Sequence, residues 1–159
     1  MLSNLNIVVN QYRISHIHLT PTTVRMLDPD SCPTLKTMVV GGERMTTTLQ
    51  DWWAMKLSLY DGYGPTECAI QVSTSLVTPT CEVGVVSSPL PGNSIVLLDA
   101  NSCVPKKGEI GEICVSGRQL FSGYLGDRQD LYSHNTYTKS CQDLPKALFL
   151  RNGGHGTVR

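Results

Sequence analysis

Neither sign of charge prevails in this sequence, and no long apolar run interrupts it: thirteen Lys and Arg stand against thirteen Asp and Glu. The balance holds locally, with five basic and six acidic residues up to Thr80 and eight and seven beyond it. A basic face that would draw nucleic acid or an anionic membrane is therefore not expected. Residues 1–10 lack a basic n-region, and their apolar run is only Ile7-Val8-Val9. That excludes a signal peptide or a spanning helix there and points to a cytoplasmic protein. There is no Cys-x-x-Cys pair and no Asn-x-Ser/Thr sequon, so Cys32, Cys68, Cys81, Cys103, Cys114 and Cys141 read as free thiols rather than a disulfide framework or a zinc site. Missing too are a Gly-x-x-x-x-Gly-Lys-Ser/Thr phosphate loop, a Gly-x-Ser-x-Gly elbow and a His-Glu-x-x-His pair. No repeat or low-complexity tract is present.

What remains is an ordinary globular composition, 40% apolar over 159 residues. A chain of about this size buries roughly 68–70% of its unfolded surface and can form one domain or two small subdomains. Ile14 to Leu19 alternates apolar and polar residues and meets Thr20-Pro21, a cap followed by a helix-starting proline. Leu35 to Val40 repeats the strand pattern and ends in Gly41-Gly42. Thr47-Thr48-Leu49-Gln50 has the spacing of a capping box before a helix through Trp52, Trp53 and Met55, with one indole ring partly exposed. Leu57 to Tyr60 is a third short strand, running into the loop Asp61 to Glu67. Strands alternating with helices of about ten residues predict an α/β fold, a partial parallel sheet with flanking helices. Ligands of such sheets sit outside the carboxyl ends of the strands, and three successive strands end there in Thr/Pro/Gly-rich loops.

After about Thr80 the texture changes to short β-rich runs, Ser94 to Leu98 and Glu112 to Ser116, separated by Pro/Gly turns. These predict part of an antiparallel or β-barrel-like subdomain over residues 81–159, following a partial α/β subdomain over 1–80. The tail from Ser133 ends Gly-rich, with His134 and His155 expected in exposed loops, and it reads as cut off within a structural unit.

The loop Tyr60 to Glu67 is the most informative stretch. Gly62 and Gly64 permit close backbone approach to a ligand, Pro65 stiffens the turn, and Tyr63 offers an aromatic face. Thr66 adds a hydroxyl suited to a phosphate oxygen and Glu67 a carboxylate suited to Mg²⁺. An ordinary Gly/Pro turn is the plain alternative. Gly108 to Gly117 reads as a turn, a strand and another turn, and Arg151-Asn152-Gly153-Gly154 as a loop or anion nest. His16 and His18 share one face of a strand, where a structural role stands against a metal role for want of partner ligands.

Taken in order, Val39-Val40-Gly41-Gly42-Glu43, Tyr63-Gly64-Pro65-Thr66-Glu67, and Gly111-Glu112-Ile113-x-Val115-x-Gly117 with Gly123-Tyr124-Leu125 resemble the adenylation domains of nonribosomal peptide synthetases. Those belong to the adenylate-forming superfamily, with acyl-CoA synthetases and luciferases. The likeness runs from about Ile14 to Arg159, and the Glu-Cys-Ala-Ile continuation looks fungal. It implies activation of an amino acid by ATP, giving an aminoacyl adenylate and pyrophosphate, then transfer to a phosphopantetheine thiol on a carrier protein. Carrier and condensation domains of a megasynthase would be the partners.

By matching positions, Tyr63 would stack on adenine, Thr66 bind the α-phosphate and Glu67 hold Mg²⁺, these last two being the catalytic candidates. Gly41 and Gly42 would border substrate and adenine. Asp61 stands where the family usually has an Asn that contacts the adenine amino group. The side-chain pocket would include His18, Val39, Gly41, Gly62, Ile70 and Gln71. Gly154 stands where the family has an Asp that binds the ribose hydroxyls. The family's phosphate-gripping loop and catalytic Lys have no counterpart in the sequence, so an isolated chain without adenylating activity is expected. An acyl-CoA ligase-like domain, a non-catalytic nucleotide-binding remnant, and a product that does not fold alone are the alternatives.

Overall fold

The computed structural model describes residues 4–125, 136–141 and 144–157, the last two segments through their backbone pairing. The chain forms two compact units: Met1–Gly64 with Ser73–Ser88, and Pro65–Val72 with Pro89–Arg159. The chain therefore leaves the first unit after Gly64, returns at Ser73 and leaves again after Ser88.

The first unit runs α1 (Leu5–Gln11), β1 (His16–Leu19), α2 (Pro21–Val24), β2 (Thr37–Gly41), α3 (Thr47–Trp53), β3 (Ser58–Tyr63) and β4 (Ser73–Val77). Its sheet has the order β1-β2-β3-β4, with the first three strands parallel and β4 antiparallel to β3. The sheet is thus mixed, and the antiparallel edge strand is one that the polar run Ser73-Thr74-Ser75 does not announce. The helices span seven, four and seven residues rather than about ten. They are held by packing: Val9, Val24, Leu49 and Trp53 close over Met38, Val40 and Leu59 in one core. Trp53 is buried and Trp52 half-exposed, as expected for a packing helix.

Two caps explain where helices begin. Thr20 accepts from the Thr23 N–H at 3.4 Å ahead of Pro21, as the sequence predicts. The cap of α3 is Thr46, not Thr47, and accepts from the Leu49 N–H. Gln50 does not reach back as a capping-box residue. It is buried, and its Nε2 donates to the Thr78 carbonyl at 2.6 Å and the Cys81 carbonyl at 2.7 Å.

The second unit carries β5 (Asn93–Leu98), β6 (Ile110–Gly117), β7 (Thr136–Cys141) and β8 (Leu144–Thr157), all antiparallel in the order β5-β6-β8-β7. Among the described residues this is an open sheet with β5 and β7 at its edges, not a closed barrel. Ile113, Cys114, Val115 and Ser116 are buried in succession, so β6 is covered on both faces. Arg151 to Gly156 is not a loop: it lies on β8, which takes four residues from Arg151 to His155 while β6 takes two from Cys114 to Glu112. Asn152, Gly153 and Gly154 therefore form a bulge opposite Ile113. His155 accordingly lies on a strand, and the expectation for His134 lies outside the described residues. No helix among the described residues is long and apolar enough to cross a membrane.

Candidate functional site

The carboxyl ends of β1, β2 and β3 share one edge of the first sheet because the three strands are parallel. Register aligns His18 with Val39 and Tyr60, and Gly41 with Gly62. Successive strand residues alternate in face, so His18, Val39, Gly41 and Gly62 lie on one side of the sheet. A Cβ on Gly41 would stand 2.7 Å from the Gly62 carbonyl oxygen and 3.5 Å from His18 Nε2. Both glycines are buried, and the two strands pack backbone against backbone there, beside an exposed imidazole. Gly42, with φ +82°, turns the chain out of β2.

That turn is held by Glu43. Its Oε2 accepts from the Thr22 N–H at 3.1 Å and the Thr22 hydroxyl at 2.6 Å, at the start of α2. The Thr22 hydroxyl, then its N–H, draw the carboxyl pKa of Glu43 down. One carboxylate therefore ties the chain after β2 to the chain after β1.

Asp61, Gly62 and Tyr63 are not loop residues. They extend β3, because β4 pairs alongside them with Tyr63 opposite Ser73. Asp61 and Tyr63 occupy the opposite side from Gly62, the side of Leu59 and the core. Burial raises the Asp61 pKa, opposed by the backbone N–H of Gly84, which donates to the carboxylate. Tyr63 is half-buried, and Gly64 ends the segment.

In the second unit, Pro65 leads into a 3-10 turn, Thr66–Cys68. Thr66 is exposed and Glu67 half-buried. Cys68 is fully buried; burial, and then the Glu67 charge, push its thiol up to about 11. Ala69 and Ile70 follow with φ +49° and +83°. A β-branched residue in the left-handed region is strained, and strain of this kind gathers at ligand-binding and switch segments. Ile70 is 68% exposed, so no apolar burial accounts for its conformation. The Gln71 N–H donates to the Ala69 carbonyl at 3.2 Å, and Gln119 Nε2 donates to the Gln71 carbonyl at 3.2 Å.

The structure thus brings His18, Val39, Gly41 and Gly62 to one face, places Asp61 and Tyr63 on the other, and carries Thr66, Glu67, Ile70 and Gln71 in the segment of the second unit. A hollow of about 560 Å³ in that unit, lined by Gly92, Ser116, Arg118 and Phe121 among others, includes none of them. It is a surface depression. The sequence names Gln50 and Tyr124 without the contacts they make, and does not single out Gly84. The residues that Gln50 and Tyr124 touch lie 28 to 57 positions away, beyond any local pattern. Among the described residues no group of three or more His, Cys, Asp or Glu is placed to hold a metal ion. Cys32, Cys68, Cys81, Cys103 and Cys114 are free thiols.

Residues 4–125 match the family described as AMP-binding enzyme. Nonribosomal peptide synthetase 7 of Aspergillus fumigatus is 38% identical over 126 residues, which are 79% of this chain and 5% of that protein. Novobiocin biosynthesis protein H of Streptomyces niveus is 42% identical over 114 residues, 71% of this chain and 19% of that protein. Fungal nonribosomal peptide synthetases predominate among the similar proteins. In fold, the chain is similar to NpsA-ThdA, an artificially fused adenylation-PCP di-domain from Klebsiella oxytoca. The TM-score is 0.83 at 20% identity, over 99% of this chain and 31% of that one.

Proposed function

The chain belongs to the AMP-binding enzyme family, and from that premise we propose that it carries the nucleotide- and amino-acid-facing part of an adenylation domain of a nonribosomal peptide synthetase. In that chemistry an oxygen of the amino-acid carboxylate attacks the α-phosphorus of ATP, the bond to pyrophosphate breaks, and an aminoacyl adenylate forms. A phosphopantetheine thiol on a carrier protein then attacks the acyl carbon and releases AMP. Such displacement needs alignment and charge neutralisation more than covalent help from the protein.

The observation that carries the reading is the close-packed glycine pair at the strand ends. Gly41 and Gly62 meet at the carboxyl edge of a parallel sheet, where α/β proteins take their ligands. On that face, His18 and Val39 would border the amino-acid side chain, and the resemblance assigns the same role to Ile70 and Gln71. Tyr63 would stack on adenine, with Asp61 accepting from its amino group and Gly42 and Gly64 leaving room for the nucleotide. The exposed Thr66 hydroxyl would donate to the α-phosphate. Glu67 and Thr66 supply hard oxygen donors of the kind Mg²⁺ takes. When bound, that ion would neutralise phosphate charge as pyrophosphate leaves.

One observation favours a narrower second reading, nucleotide binding without turnover. Gly154, on the β8 bulge, brings no carboxylate to the position that the resemblance assigns to the ribose hydroxyls. Calorimetry of the 159-residue chain with AMP separates the cases. AMP binding that weakens roughly ten-fold or more in Tyr63→Ala, the value of a base-aromatic stack, supports the assignment. No binding, or binding indifferent to Tyr63, overturns it. Amino-acid-dependent ATP–pyrophosphate exchange above background would overturn the second reading alone.

A further inference from the structure

We infer that Tyr124 is a positioning residue that holds the Glu67 carboxylate in one orientation with a single oxygen left for a divalent cation, an inference that rests on Glu67 being the cation-holding group. Glu67 sits in a single 3-10 turn whose preceding residue, Pro65, makes no side-chain cap. Such a turn does little to fix a side chain with three rotatable bonds, which loses roughly 1.5–2 kcal/mol of rotamer freedom when ordered.

The ordering comes from the segment after β6. The Phe121 N–H donates to the Glu67 main-chain carbonyl at 2.8 Å, and the Tyr124 hydroxyl donates to Glu67 Oε1 at 2.6 Å. That length is typical of an O–H donating to an ionised carboxylate. The Phe121 and Tyr124 rings meet edge to face, with centroids 4.7 Å apart and planes at 76°, so the two donors form one braced unit. The segment leaves β6 at Gly117, where a Cβ would fall 2.3 Å from Asn93 Oδ1; only glycine allows this path.

The choice of partner decides the consequence. A Lys or Arg on Glu67 would cancel its charge and make the contact purely structural, yet none pairs with it among the described residues, where the ion pair is Lys56–Asp30. A phenol binds one carboxylate oxygen and leaves the negative charge in place. Oε2 has no partner among the described residues, which suits the one-oxygen contact that carboxylates make to Mg²⁺. Ordering the group before the cation arrives lowers the entropy lost on binding.

The test uses the whole 159-residue chain with Mn²⁺ as the probe, read by water-proton relaxation in the presence of AMP, and with ¹³C-labelled glutamate, read by the Glu67 carboxyl resonance. Tyr124→Phe is expected to move that resonance and to weaken Mn²⁺ binding roughly 3- to 10-fold, while metal-free AMP binding and Tm stay near those of the parent. 3-Fluorotyrosine at position 124 keeps the hydroxyl and is expected to restore the Mn²⁺ affinity, with a Glu67 resonance shifted less from the parent than in Tyr124→Phe. An unchanged Mn²⁺ affinity in Tyr124→Phe, or no restoration by 3-fluorotyrosine, overturns the positioning role alone. A parent chain that takes up no Mn²⁺ removes the cation role of Glu67, and the positioning inference with it, while AMP binding still tests the nucleotide site separately. Should Tyr124→Phe fail to fold, 3-fluorotyrosine against the parent still tests the contact, because its more acidic hydroxyl must move the Glu67 resonance if the bond exists.

Discussion

Asp61 is a carboxylate on the core-facing side of a strand, and its two influences pull against each other. Burial raises its pKa and the Gly84 N–H lowers it, with burial the larger. A carboxyl whose folded pKa lies above its unfolded one favours the folded state when protonated, and that advantage fades as pH rises through the folded value. Ionised Asp61 is therefore a destabilising group at neutral pH. Asp61→Asn is expected to raise Tm at pH 7 and to leave it unchanged well below 3.8, the ordinary aspartate value. Melting curves at pH 7 and pH 3 check this, and a lower Tm for the variant at pH 7 would show that the Gly84 bond dominates instead. Tyr63, Thr66 and Glu67 stand out in the sequence by their chemistry, and Asp61 by the resemblance alone. The left-handed backbone at Ala69 and Ile70 was not, since nothing in Ala-Ile suggests positive φ.

Elements were readable where a cap or a period marked them. Thr20-Pro21 and the apolar runs of β1, β2 and β3 are of that kind. Helix α1 was not, because its cap residue Asn4 makes no side-chain bond and only Val9 of its seven residues is buried. Strand β4 was hidden by hydroxyl side chains, whose burial comes from pairing with β3 rather than from their own polarity. Gln50 shows why a local pattern misleads. It matched a capping box, yet its amide is spent on the Thr78 and Cys81 carbonyls, which lead into the segment reaching Gly84. Gln50→Leu leaves two carbonyls without this donor, at a cost of roughly 2–4 kcal/mol. Tm should fall by about 5–15 °C, and the Gly84 amide should exchange faster with deuterium. A loss under about 1 kcal/mol with Gly84 protection intact would mean water replaces the amide.

At the scale of the molecule, the sequence suggested a change of texture near Thr80, but the chain passes between its two units after Gly64, Val72 and Ser88. Such interleaving is set by long-range pairing and leaves no compositional trace. Its mechanical consequence can be tested by cutting the backbone between Ala69 and Ile70 with an engineered protease site. Each piece then contributes to the first unit, joined by the β3–β4 ladder and by Gln50. The pieces should co-elute in native size exclusion and separate in urea. Separation without urea would show that the ladder does not hold alone.

The alternation along Asp61-Gly62-Tyr63 also limits how this gene can drift in length. One codon gained or lost between Tyr60 and Tyr63 would swap the two sides of the strand. It would bring a side chain to the spot where β2 and β3 leave no space for one, and turn the ring away from its own side. Within those few codons the reading distance is as constrained as the amino acids themselves.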